Sequence, residues 1–184
     1  MNGTPSAPHG APQVRTTTVV VSGVSGTGKS TVARLLVERT GWDFAEGDDL
    51  HPAANRRKMT AGTPLDDADR LPWLRRIAAW VGTCEADGRN AVVTCSALRR
   101  SYRDLLRAGH PSVWFVQLTA GPEDLDRRLR TRRGHFMPAS LLGSQLTTLE
   151  PLTPDEPGAV YPSDGGPLRV AERVLGDLRT RPGR

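Results

Sequence analysis

The stretch GVSGTGKST, residues 23–31, follows the apolar run TTTVVVS (16–22) without a break and leads straight into KSTVARLLVERTG (29–41). Gly23-x4-Gly28-Lys29-Ser30 is the P-loop pattern, and a strand before it with a helix after it is the context that gives the pattern meaning. No other feature constrains the fold as much, because strand, loop and helix must come in that order. The glycines let the backbone curl until successive N–H groups point inward, and the helix adds the positive end of its dipole. Lys29 is one of two lysines in a chain whose Lys+Arg total is 25. A slim ammonium on a long stem reaches β- and γ-phosphates inside a closed loop, where a planar guanidinium does not fit. Ser30 supplies a hydroxyl to Mg²⁺. The bland alternative is a glycine-rich turn joining strand to helix, and four fixed positions in the right context argue against it. Gly23, Val24, Ser25, Gly26, Thr27, Gly28, Lys29, Ser30 and Thr31 therefore read as a cradle for a nucleoside triphosphate.

The elements that follow alternate. Val32, Leu35 and Leu36 recur at helical spacing until Gly41, and WDFAEGD is a short second strand. LPWLRRIAAWVGTCEADG (71–88) reads as a helix with Pro72 in its first turn. NAVVTCSA is a third strand, RRSYRDLLRAG a helix and SVWFVQLTA a fourth strand. GPEDLDRRLRTRRG (121–134) opens a helix with Glu123 and Asp124 against its dipole, and PASLLGSQLTTLE is another helix. A weak strand, AVYPS, and a closing helix, PLRVAERVLGDLR, complete the order. Strands alternating with helices predict an α/β fold, a parallel sheet covered by helices on both faces. Residues 49–70 and the basic stretch around 130–140 interrupt the alternation. Residues 1–15 read as a flexible Pro/Gly/Ala tail, which leaves 16–184 as a single domain.

Composition narrows the function classes only a little. Hydrophobic content of 37% and charge of 24% are ordinary for a globular chain. No apolar stretch approaches the roughly 18 residues of a membrane span, and the N-terminus lacks the order of a signal peptide. Cys84 and Cys95 form neither a disulfide framework nor a metal pattern, so a reduced, cytoplasmic setting is the simplest reading. A net charge of +5 points to anionic partners, either nucleic acid or a small phosphorylated or carboxylated metabolite. Aromatic residues make up 5% and do not interleave with the basic run, so neither nucleic acid nor membrane is an expected partner.

Many P-loop proteins end a later strand in an aspartate that helps to hold magnesium. Here the strand AVVTCSA ends in Cys95 and Ser96, and the acids stand instead as Asp48 and Asp49 at the end of the second strand. Carboxyl ends of neighbouring parallel strands face one crevice. Asp48 is thereby placed to orient a substrate hydroxyl, to take its proton and to hold a magnesium-bound water. Asp49 reads as a helix cap.

Three strings then carry a family resemblance: GDDLHPAANRRKMTAGTPLDDADRLPWL (47–74), CSALRRSYRDLLR (95–107) and RGHFMPASLLGSQLTTLEPL (133–152). They resemble the bacterial-type gluconokinases, and the likeness runs from about residue 17 to residue 178. It implies a homodimeric P-loop kinase, nucleoside-monophosphate-kinase-like in fold, that makes 6-phosphogluconate from gluconate and ATP with Mg²⁺. Residues 49–70 would be a substrate-binding insertion and residues near 130–140 a lid. A polyhydroxylated monoanion calls for cations, an imidazole and a carboxylate, which Asp48, His51, Lys58, Arg70 and Arg99 offer. His51 has a second reading as a cap on the helix starting at Pro52, and Lys58 one as a solvated helix lysine. Asp67 and Asp69 would orient Arg70 or face solvent. Five arginines lie between Arg127 and Arg133. By the resemblance Arg128 lies near adenine and Arg132 near the phosphates, with His135 and Phe136 reaching the pocket as the lid shuts. Arg99 stands where the family usually has lysine, and VYPSDGG (160–166) is an unusual last strand. A kinase for another small acid or a nucleotide, and a non-catalytic nucleotide- or nucleic-acid-binding protein, are the competing readings.

Overall fold

A computed structural model describes residues 16–131 and 140–181 of the chain. The elements run β1 (Thr18–Ser22), α1 (Lys29–Thr40), β2 (Asp43–Ala45), a 3-10 turn (Gly47–Leu50), α2 (Ala53–Thr60), α3 (Asp67–Ala86) and β3 (Ala91–Thr94). They continue as α4 (Arg100–Arg107), β4 (Val113–Thr119), α5 (Pro122–Thr131), α6 (Ser140–Thr148), β5 (Gly158–Pro162) and α7 (Pro167–Thr180). The strands form one sheet in the order β2-β3-β1-β4-β5. Every neighbouring pair is parallel, with Val20 registered against Val93 on one side and Phe115 on the other. The expected α/β architecture is present.

β1 is central, so both of its faces are buried, and it is apolar nearly throughout for that reason. Successive side chains point to opposite faces. Val19 and Val21 pack with Val32 and Leu36 of α1 and with Val170 and Val174 of α7. Val20 packs with Trp73, Ile77 and Val81 of α3 and with Leu106 of α4. Cys84 and Cys95 are both buried free thiols, and Cys95 belongs to this second core.

The structure corrects two expectations. α3 begins at Asp67, not near residue 71, because Asp66 and Asp69 form a reciprocal capping box with bonds of 2.8 and 3.1 Å. Pro72 therefore lies in the second turn, where its missing N–H removes one bond of the helical ladder. In addition, Asp48 does not end a strand beside β1. β2 stops at Ala45, β3 stands between β2 and β1, and Asp48 sits on the 3-10 turn beyond the strand end.

The segment after α6 is pinned from inside. The fully buried Arg103 of α4 donates through Nε to Glu156 at 2.6 Å and also to the carbonyls of Ala97, Glu150 and Pro151. Burial alone raises the Glu156 carboxyl, but the bonds from Arg103 and Thr153 outweigh it and hold it at about 2.

Candidate active site

The P-loop lies between β1 and α1 at the carboxyl end of the sheet, and its backbone requires its glycines. Gly23, Gly26 and Gly28 have φ of 127°, 87° and 95°. A Cβ at Gly23 would also lie 2.5 Å from the carbonyl oxygen of Leu118 on β4. Gly28 in the left-handed region caps α1, so the first amides of that helix have no side-chain acceptor from their cap. Lys29 Nζ donates to Val24 O at 3.0 Å, and Thr27 Oγ1 donates to the same carbonyl at 2.8 Å. Ser30 is half-buried in the first turn of α1, while Thr31 is exposed.

Arg128 joins the loop from α5. Its guanidinium donates to Ser163 Oγ and Ser163 O, both at 2.9 Å, and to Gly26 O at 3.4 Å. It thus bridges the P-loop and the turn that follows β5.

The loop carrying Asp48 is built on Gly47. Its N–H donates to Thr94 Oγ1 at 2.9 Å, and its carbonyl accepts the Trp73 indole N–H at 2.7 Å. Thr94 Oγ1 in turn donates to the Glu46 carboxylate. A Cβ at Gly47 would lie 1.8 Å from Thr94 O, so no other residue fits this path. Asp48 and Asp49 are exposed. Asp49 does not cap α2, whose N-cap is Pro52 without a side-chain bond. The charges of Asp48, Lys29 and Arg70 all act on the buried Cys95 thiol, which burial pushes up to about 12. All three charges are thus felt at the carboxyl end of β3.

Beside them opens a cavity of about 440 Å³, lined in part by Asp67, Arg70, Arg99, Tyr102 and Thr148. Both guanidinium carbons, of Arg70 and Arg99, stand 5.9 Å from the centre of the Tyr102 ring. Arg99 donates to Asp67 at 2.7 Å, and the Tyr102 hydroxyl donates to the same carboxylate. Burial, then that bond, pushes the Tyr102 hydroxyl up to about 12. Asp67 thus serves Arg99 and Tyr102 rather than Arg70, whose Nε donates to Leu65 O at 3.3 Å.

The remaining predicted residues of the insertion take up other contacts. Asp69 holds Lys58 at 2.6 and 2.7 Å, a pairing that lowers the Asp69 carboxyl and raises the Lys58 ammonium. Lys58 is absent from the cavity lining. His51 does not cap α2. It is buried, stacks on Trp73 with ring centres 4.1 Å apart, and shares a 3.3 Å hydrogen bond with Asn55. Burial, reinforced by Arg70 and Arg56, lowers its imidazole to about 4 and leaves it neutral at neutral pH.

Arg132, His135 and Phe136, most of the expected lid, and the tail at 1–15 lie outside the described residues. Sequence reasoning did not single out Tyr102, Thr148, Trp73 or Gln145. Tyr102 carried a signal, since it lies three residues after Arg99, in the first turn of the helix that Arg99 precedes. Gln145 carried none, because its contact spans 120 positions.

The chemistry of the donors suits a metal held largely by its ligand. Among the described residues no group of three or more His, Cys, Asp and Glu side chains could hold a metal ion. Mg²⁺ bound through phosphate oxygens needs only one or two protein oxygens. The Ser30 hydroxyl and the Asp48 carboxylate are of that kind.

A central P-loop strand, a five-stranded parallel sheet and a separate cavity bearing two arginines define a P-loop small-molecule kinase of the nucleotide-kinase-like fold. A family model described as an AAA domain matches residues 19–152. The chain is 55% identical over 157 residues to the gluconokinase of Gluconobacter oxydans, an alignment covering 85% of this chain and 88% of that one. It is also similar to a solved sugar kinase from Janibacter sp. at 48% identity and a TM-score of 0.86, covering 91% and 96% of the two chains. A solved gluconokinase from Sinorhizobium meliloti is 42% identical with a TM-score of 0.75, covering 90% and 97%. The chain belongs to the gluconokinase family.

Proposed function

We propose that this chain is an ATP-dependent gluconate kinase that transfers the γ-phosphoryl group to the 6-hydroxyl of D-gluconate. The observation that carries the reading is the cavity bearing Arg70, Arg99 and Tyr102 in a chain with a complete P-loop. A carboxylate and a row of hydroxyls match two guanidiniums and a phenol held by an aspartate. Arginine at 99 offers the acid a bidentate grip that lysine cannot give.

In this reading Lys29 leaves Val24 O and takes the β- and γ-phosphates, while the amides of residues 26–30 hold phosphate oxygens. Ser30 and Asp48 would hold Mg²⁺, which would supply neutralising charge to the triphosphate. Asp48 orients the 6-hydroxyl and accepts its proton as the new O–P bond forms and the bond to ADP breaks. Arg70 and Arg99 bind the carboxylate end, and His51, being neutral, buttresses the loop from below. Arg128 takes the adenine side. Residues 49–70 act as the substrate-binding insertion and residues near 130–140 as a lid, with Arg132 on the phosphates and His135 over the substrate. A homodimer in the cytoplasm is the family's expected setting.

A coupled ADP-release assay over gluconate, other sugar acids, shikimate and nucleoside monophosphates tests the proposal. Turnover with gluconate well above the rest is expected. Preference for shikimate or a nucleotide would transfer the reading to another small-molecule kinase. Nucleotide binding without turnover of any acceptor would make the chain a sensor.

A further inference from the structure

The Ser25 amide N–H in the P-loop is claimed by a side chain from far away in the sequence. Gln145 Oε1 of α6 accepts it at 2.7 Å, and Gln145 is 6% exposed. The Val24–Ser25 peptide is trans and planar, so its N–H and C=O point in opposite directions. The carbonyl is the one that receives Lys29 Nζ at 3.0 Å and Thr27 Oγ1 at 2.8 Å, and so it faces the inside of the loop. The N–H therefore faces outward, toward α6.

From this geometry we infer that Gln145 is a positioning residue for phosphoryl transfer: it fixes the Val24–Ser25 peptide plane and, through it, the Lys29 ammonium. This inference rests on the kinase reading above. The plane is held from both sides, by Lys29 Nζ and Thr27 Oγ1 on the Val24 carbonyl within the loop and by Gln145 on the Ser25 N–H outside it. A flip would take the carbonyl away from Lys29 and aim the Ser25 N–H into the cradle. With the plane held, Lys29 waits at the mouth of the loop on a neutral acceptor that phosphate oxygens readily outcompete. The other end of α6 is secured separately, since Glu150 N donates to Leu98 O at 2.7 Å and Arg100 N donates to Glu150 at 2.6 Å. Thr148 thus keeps its place in the cavity whether or not Gln145 holds the loop.

Gln145→Met keeps length and bulk but removes the acceptor. Its kcat/KM for ATP is expected to fall about three- to tenfold, the scale of one lost hydrogen bond, with KM for gluconate within about twofold of wild type. Gln145→Asn, one methylene too short to reach, should give the same split, so a poorly folded methionine variant does not decide the matter. Calorimetric titration with MgADP supplies a second readout. Gln145→Met should weaken binding in the wild-type background and have little further effect in Lys29→Met, because it acts through that lysine. Unchanged kinetics in both variants, an equal rise in the gluconate KM, or additive losses with Lys29→Met would overturn the inference. Wild-type protein that bound no nucleotide would overturn the kinase reading along with it.

Discussion

The indole N–H of Trp73 donates to Gly47 O at 2.7 Å, and the same ring carries the stacked imidazole of His51 at 4.1 Å. One side chain of α3 thus braces the 3-10 turn on both sides of Asp48. Trp73→Phe retains most of the buried ring and strands the Gly47 carbonyl. A loss of about 1–3 kcal/mol is expected, with turnover reduced through the displaced Asp48. Chemical denaturation and steady-state assays on one preparation measure both effects, and an unchanged turnover would separate the brace from the chemistry.

Lys29→Ala should leave a folded protein with phosphoryl transfer nearly abolished. The ammonium is held by a loop carbonyl and takes no part in any of the three hydrophobic core clusters. Near-normal turnover with an unchanged melting temperature would remove residues 23–31 from the triphosphate site.

Asp48→Asn should lower turnover by about 10²–10⁴-fold while ATP still binds, because basicity and metal charge are lost and size is kept. Asp49→Asn should change little, since its side chain is exposed and caps nothing. An inactive Asp49→Asn beside an active Asp48→Asn would exchange the two roles.

His51 makes stability depend on pH. Its imidazole sits near 4 in the fold against 6.5 ordinarily, so between those values the unfolded chain binds a proton that the folded chain refuses. The stability involved is present above about pH 6.5 and is lost as pH falls through about 4. The loss should be on the order of 2–3 kcal/mol. Urea midpoints from pH 7 to pH 4 should therefore fall less steeply in His51→Phe, which keeps the stacked ring, than in wild type.

Glu156→Gln leaves the Arg103 guanidinium buried without its counter-charge. A destabilisation of about 3–5 kcal/mol is expected from thermal melts. In wild type this pair's contribution is present above the ordinary carboxylate range and is lost as pH falls through about 2, so it should not compete with the His51 effect near neutrality.

Much of this arrangement could be read from residues alone. TTTVVVS before GVSGTGKST fixes a central buried strand, and Gly41 ends α1 in the left-handed conformation that its position foretold. What could not be read was long-range pairing. Nothing in WDFAEGD says that β3 will intervene between it and β1, because strand order depends on crossovers rather than on local pattern. The start of α3 was hidden because Asp66, Asp67 and Asp69 resemble a loop until two of them close a capping box. Lys58 and Asp69 stand eleven positions apart, and only the turn between α2 and α3 brings them together. The Arg70, Arg99 and Tyr102 cluster joins two segments, α3 and the start of α4, of which the family strings had marked the two cations.

Cys84 and Cys95 lie in the interior, with accessibilities of 0% and 1%, and burial raises both thiols. A thiol reagent can reach neither while the sheet and α3 stay together, so the alkylation rate becomes a clock for opening. Under native conditions, mass spectrometry of partly labelled protein would tell a cooperative collapse, in which both sulfurs react together, from fraying of α3, in which Cys84 reacts first. Cys95 lies at the carboxyl end of β3, where the charges of Lys29, Asp48 and Arg70 are felt. Added nucleotide should therefore slow its labelling, giving a measure of site occupancy that needs no turnover.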